Sequence, residues 1–148
     1  MAAEVDGVKL VNGRPRGIRN NNPGNIRTEG TPNGVNGADP WRGLQGHDEA
    51  GYGIFEGPGY GIRAMGKLLD TYRDRYGLET VEEIIGRWAP PVENDTEAYI
   101  RHVAQRLDVP RDHPLTDAQR PALVEAIIAH ENGQQPYSRA FIEGALAL

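Results

Sequence analysis

Residues 126–133 read "AIIAHENG", an apolar run that meets His130, Glu131 and Asn132 and is then stopped by Gly133. With Pro121 as a first-turn residue upstream, this is a helix with a hard C-terminal stop, and its Ile and Ala content places it in a core. A core helix of this kind sets the fold class as mainly α. It also raises a chemical question. The carboxylate of Glu131 lies at the helix end where the dipole is negative, a position that favours Lys or Arg. A poorly hydrated acid there has a raised pKa and stays protonated closer to neutral pH, as a general acid requires. The simpler alternative is a solvated acid that happens to precede a Gly stop.

Upstream, the same helical spacing recurs. Ile62, Met65, Leu68, Leu69, Tyr72 and Tyr76 repeat at three and four residues and predict a helix over 60–76, ended by Gly77. Thr80 and Glu83 form a capping-box pattern for a helix over 80–88, with Val81, Ile84, Ile85 and Trp88 on one face and "APP" as its terminator. A third helix is expected from Asp95 or Thr96 to Leu107, burying Tyr99, Ile100 and Val103. Helices over 121–132 and 139–146 complete the set, the last capped by Ser138. Leu68, Leu69, Ile84, Tyr99, Val103, Ile127 and Phe141 are the expected core.

The first 59 residues read differently. Residues 1–16 form a polar arm with room for one short strand, Val8 to Val11. Residues 17–59 are dense in Gly, Asn and Pro and predict a loop-rich lobe with one short strand at "YGIFE". Loops of this length are usually functional or disordered, and Trp41, Leu44, Tyr52, Ile54 and Phe55 supply anchors for order. The chain thus divides into an arm (1–16) and one domain (17–148), itself a coil-rich lobe (17–59) and a helical lobe (60–148).

Bulk properties exclude several classes. At 148 residues the chain suits one domain with a real core. Its formal net charge of −5 argues against nucleic-acid binding and against a membrane-surface protein. There is no cysteine for a disulfide or thiolate site, and no apolar stretch approaches a membrane span. The four His, at 47, 102, 113 and 130, fall in no metal-ligand spacing, so neither a metal nor another cofactor is expected. Residues 1–17 hold no apolar signal region, so synthesis in a cytoplasm is expected.

Two segments beside "AIIAHENG" are rich in polar groups that no core needs. In "RWAPPVENDTEAYI" (87–100), Asn94, Asp95 and Thr96 exceed what one helix N-cap requires, and Trp88 and Tyr99 are placed to stack on a sugar face. A well-capped helix with two core aromatics is the alternative. In "RGIRNNNPGNIR" (16–27), amide side chains including Asn25 suit an acetamido sugar and the arginines suit carboxylates. A rigid turn held by Asn–backbone bonds is the alternative there. Asn25, Trp41, Trp88, Asn94, Thr96 and Tyr99 are the candidate binding residues of a groove with Glu131 at its edge.

Together with "WRGL" (41–44) and "YGIRAM" (60–65), these segments resemble a family of bacteriophage and prophage proteins described as virion structural proteins or as peptidoglycan-degrading, lysozyme-like proteins. "ENDTEAYIRHVAQRL" (93–107) and "AIIAHENG" are also distantly similar to helices of soluble lytic transglycosylases, the second to the helix that ends on their catalytic Glu. In those enzymes that helix comes first, whereas here it comes late, an order that a circular permutation would produce. "NPGNIR" followed by "WRGL" is similar to a lobe of flagellar-type glucosaminidases. The resemblance implies a lysozyme-like domain and cleavage of peptidoglycan glycan strands, with Glu131 protonating the glycosidic oxygen. A hydrolase pairs such an acid with a second carboxylate, for which Glu93 or Asp95 stand nearest by motif, whereas a transglycosylase needs one acid. It further implies partnership with peptidoglycan and other virion proteins, and a place in the virion or at the periplasm or cell wall. A non-enzymatic virion component keeping the fold, its polar arm pinned to neighbouring subunits, is the competing expectation.

Overall fold

The computed structural model describes residues 14–29 and 41–148, together with the backbone of 4–5 and 8–9. Two strands, β1 (Glu4–Val5) and β2 (Val8–Lys9), pair antiparallel with Val5 opposite Val8. The strand expected from Val8 to Val11 is thus the second arm of a hairpin, and its residues 10 and 11 lie outside the described residues. Then follow α1 (Arg16–Arg19), β3 (Leu44–His47), β4 (Gly53–Phe55), α2 (Pro58–Tyr76), α3 (Val81–Trp88), α4 (Thr96–Leu107), a 3-10 turn (Asp117–Gln119), α5 (Arg120–Asn132) and α6 (Arg139–Leu146). The fold is mainly α.

Local chemistry explains the boundaries. Pro58 opens α2, where its missing N–H costs nothing, and Gly77 closes it in the left-handed conformation at φ 67°. The Thr80–Glu83 box caps α3, the Asp95 side chain accepts from the Ala98 N–H to start α4, and the Ser138 hydroxyl accepts from the Phe141 N–H to start α6. Helix α5 is apolar through its middle, from Leu123 to Ala129 but for Glu125. Leu123, Val124, Ala126, Ile127 and Ile128 are buried as it packs on α4, α6, α1 and α2. Leu69, Ile84, Tyr99, Val103 and Ile127 lie in the core as expected, while Leu68 and Phe141 only border it.

The described residues of the N-terminal lobe, 17–29 and 41–59, are more ordered than their composition suggests. β3 and β4 form an antiparallel hairpin with a register shift between Leu44 and Gly46, so "YGIFE" is one arm of a pair rather than a lone strand. α1, not foreseen, is a single turn that packs against α5. The three asparagines after it each bond a different place. Asn20 Nδ2 donates to Asp48 Oδ2 at 3.0 Å and Asn21 Nδ2 to the Phe55 carbonyl at 3.1 Å. Asn22, fully buried, donates to the carbonyls of Ile26 (2.9 Å) and Gly53 (3.0 Å) and accepts from the Ile26 N–H (3.0 Å). A buried amide satisfied in this way fixes its loop, because each lost partner leaves a desolvated polar group.

Helix α2 meets this loop at Gly61, where a Cβ would stand 2.0 Å from the Asn21 carbonyl oxygen, whereas at Gly86 in α3 it would meet nothing within 4 Å. The two positions should therefore respond oppositely to alanine. Gly61→Ala is expected to cost about 1–3 kcal/mol through overpacking against backbone, and Gly86→Ala to gain about 0.5–1 kcal/mol from helix propensity. Urea unfolding of the two variants checks this, and equal effects at both sites would contradict the packing described.

Candidate functional site

The C-terminal end of α5 meets the Asn-rich loop directly. Asn132 Nδ2 donates both backward to the Ile128 carbonyl at 3.0 Å and across to the Pro23 carbonyl at 2.9 Å. Gly17 allows the approach, since a Cβ there would lie 2.5 Å from Asn132 Oδ1. One residue earlier, Glu131 is reached from both lobes. Asn25, held in the left-handed region at φ 51°, donates from Nδ2 to Oε1 at 3.0 Å, and the Tyr99 hydroxyl on α4 donates to Oε2 at 2.8 Å. Asn tolerates that backbone conformation better than most residues.

Glu131 opens onto a groove of about 540 Å³. One wall belongs to the N-terminal lobe: Gly24 to Arg27, Trp41 and Tyr52. The other comes from Leu68 and Tyr72 of α2, Trp88 at the end of α3, and Pro90 and Val92 to Asn94 of the α3–α4 connection. Four aromatic side chains with a few polar ones make a surface suited to sugar faces. Another cavity, about 50 Å³ near Leu69, Leu78 and Leu123, holds little more than a water.

The structure brings Asn25, Trp41, Trp88, Glu93, Asn94 and Glu131 to this groove and leaves three other candidates outside its lining. Asp95 caps α4. Thr96 donates its hydroxyl to the Ala89 carbonyl at the end of α3, and Asn94 donates to the Pro90 carbonyl at 3.0 Å. The polar surplus of "NDT" is thus spent on closing a connection in which Pro90 and Pro91 offer no N–H. Tyr99 is 2% exposed, and its ring stacks on His130 with centroids 3.7 Å apart, so no sugar reaches it. Its place is behind the acid. Of the other groove residues, Arg27 is one of the arginines of 16–27 expected to suit carboxylates, Tyr52, Leu68 and Tyr72 are expected only as packing residues, and Gly24, Ile26, Pro90 and Val92 carry no expectation of their own. Arg27 and Tyr52 meet through an isolated bridge between distant segments, a pairing no local pattern announces.

Burial raises the Glu131 pKa above its ordinary value, and the bonds from Asn25 and Tyr99 oppose this by favouring the carboxylate. Burial also holds the Tyr99 phenol, with Glu131 beside it, well above its usual range, so Tyr99 remains a donor. His130 turns to α4, where its Nδ1 lies 2.9 Å from Nδ1 of His102, one donating and the other accepting. Burial, and then the neighbouring His102, lower the His130 pKa, with Asp95 pulling weakly upward. Among the described residues no cation pairs with Glu131, and no three His, Asp or Glu side chains come together as metal ligands.

The chain is 44% identical over 129 residues to Protein P5 of Pseudoalteromonas phage PM2, an alignment covering 86% of this chain and 78% of that protein. It belongs to the Protein P5 family of phage proteins. No described family profile matches the chain. The aligned length spans most of this Protein P5 relative. No helix among the described residues is long and apolar enough to cross a membrane.

Because the folded chain favours protonated Glu131 more than the unfolded chain does, its contribution to stability is fully present below the unfolded carboxyl pKa of about 4.3 and is lost as pH rises through the raised folded value. Glu131→Gln cannot ionise. Thermal unfolding should give nearly the same pH trend for both proteins up to about pH 4, then a gap that widens in the variant's favour toward pH 7. A gap that does not change with pH would contradict the raised pKa.

Proposed function

We propose that the chain is a lysozyme-like protein that cleaves peptidoglycan glycan strands, with Glu131 as the general acid. The observation that carries the reading is this partly buried carboxyl at a helix end, facing an aromatic-lined groove and held by two neutral donors, Tyr99 and Asn25. Glu131 donates its proton to the glycosidic oxygen as the C1–O bond breaks. The carboxylate so formed accepts both existing bonds, which keep it in place.

A transglycosylase-type reaction suits this geometry better than a hydrolase. Asp95 is spent as a cap, and Glu93 is exposed and pairs with Arg27 at 3.6 Å. One acid suffices if the muramic 6-hydroxyl attacks C1 and returns its proton to the Glu131 carboxylate. The bond broken and the bond formed then balance without water, leaving an anhydro ring end. The protein would act at the cell wall, carried there with the virion, in company with other virion proteins. The competing reading, a virion component without enzymatic activity, is favoured by the N-terminal hairpin, a form apt for pairing with a neighbouring subunit.

On purified peptidoglycan the wild type should clear the substrate, and Glu131→Gln should lose about 10²- to 10⁴-fold in rate while remaining folded. Mass spectrometry of the products separates anhydro from reducing ends. An inactive wild type would leave the assembly reading standing.

Tyr99→Phe removes a donor that favours the carboxylate, so the acid's pKa rises further. Since the protonated form is the active one, the basic limb of the pH–rate profile should move to higher pH in this variant. A limb that stays in place, or moves down, would remove Glu131 from the acid's role.

A further inference from the structure

Arg27 is the one basic side chain among the described residues that line the groove. Its guanidinium is positioned by neutral partners. Nη1 donates to the Ala50 carbonyl at 2.7 Å, Nη2 to the Tyr52 hydroxyl at 3.2 Å, and the guanidinium carbon sits 4.5 Å from the Tyr52 ring centre. Its anionic neighbours hold it loosely. Glu29 and Glu93 both stand at 3.6 Å, beyond hydrogen-bond reach, with side chains 51% and 65% exposed. Exposed pairs of this kind contribute little to stability. The fork is thus oriented without spending its charge, and Glu93 belongs to the facing wall.

We infer that Arg27 is a specificity-determining residue that binds a carboxylate of the substrate, taking it in exchange for Glu93 and so selecting an anionic glycan over a neutral one. This rests on the glycan-cleaving reading of the groove. A substrate carboxylate can approach to hydrogen-bond distance and engage two N–H groups at once, which Glu93 does not do. Its arrival separates Arg27 from Glu93, the one ion pair that joins the two walls among the described residues, and leaves Glu93 as a like charge beside the ligand. Arg27 and Glu93 should therefore act with opposite signs. In peptidoglycan the carboxylate is either that of an unsubstituted lactyl group on the muramic ring or one carried by the stem peptide.

Binding is measured by calorimetry on the Glu131→Gln background, where the ligands are not cut. Three ligands are compared: a tetramer of N-acetylglucosamine, a peptide-free tetrasaccharide alternating N-acetylglucosamine with N-acetylmuramic acid, and the same tetrasaccharide bearing stem peptides. Added Arg27→Gln should weaken an anionic ligand by roughly tenfold or more and change the neutral tetramer less than about twofold. Added Arg27→Lys should recover part of the loss, since it keeps charge without the fork. Added Glu93→Gln should tighten the anionic ligand. A loss confined to the peptide-bearing ligand assigns the carboxylate to the stem, and a loss with the peptide-free one assigns it to the lactyl group. If Arg27→Gln weakens all three ligands equally or none, or if Glu93→Gln weakens the anionic ligand, the inference fails while the groove remains a glycan site. If none of the three ligands binds before Arg27 is changed, the glycan reading itself fails, and the inference with it.

Discussion

The structure depends on how the C-terminal end of α5 is finished. Much of α5 is buried, and the carbonyls of its last turn have no intrahelical donor of their own. Gly133 ends the helix in the left-handed conformation, its N–H bonding the Ala129 carbonyl, and Asn132 turns one N–H of Nδ2 back to the Ile128 carbonyl. The second N–H of Asn132 is then free to hold the Pro23 carbonyl of the other lobe. One amide thus ties the last turn of α5 to the Asn-rich loop. Glu131, a residue earlier, inherits its position from that contact.

The helices were legible because each carried redundant signals. Apolar spacing is joined by a stop for α2, by a cap for α4 and α6 and by both for α3, and the observed boundaries fall within two residues of those expected. The N-terminal lobe was not legible in the same way. "RGIR" is one turn without a period, and "LQGH" offers no alternation to mark a strand that pairs across a register shift. Its order comes from Asn side chains bonding distant backbone, an effect that composition reads as loop.

The same division runs through the candidate site. Glu131, Asn25, Trp41 and Trp88 could be picked out because their residue types are unusual for their places, and the structure gathers them. Asn94 and Thr96 exceed what the Asp95 cap requires, but the proline-rich connection leaves carbonyls at Ala89 and Pro90 that take side-chain donors. Tyr99 looked available because it is aromatic, yet it lies on the apolar face of α4, and that face is core first. Arg27 and Tyr52 stand out singly, one as a carboxylate binder and one as an anchor, but their juxtaposition is not legible because long-range pairing makes it.

The electrostatic arrangement of the groove turns on where its cations are kept. A positive charge against Glu131 would favour its carboxylate and lower its pKa. Three features prevent that. Neutral donors occupy both carboxyl oxygens. His130, the adjacent residue, has its pKa lowered by burial and by the facing His102, and stacks on Tyr99 instead of approaching the acid. Arg27 stands on the wall with Tyr52 and faces Glu93. The two groove carboxylates are thus placed in opposite surroundings, one desolvated among neutral groups and one exposed beside a guanidinium. At Glu131 desolvation is the largest influence and raises the pKa, and the two hydrogen bonds that oppose it come from neutral groups.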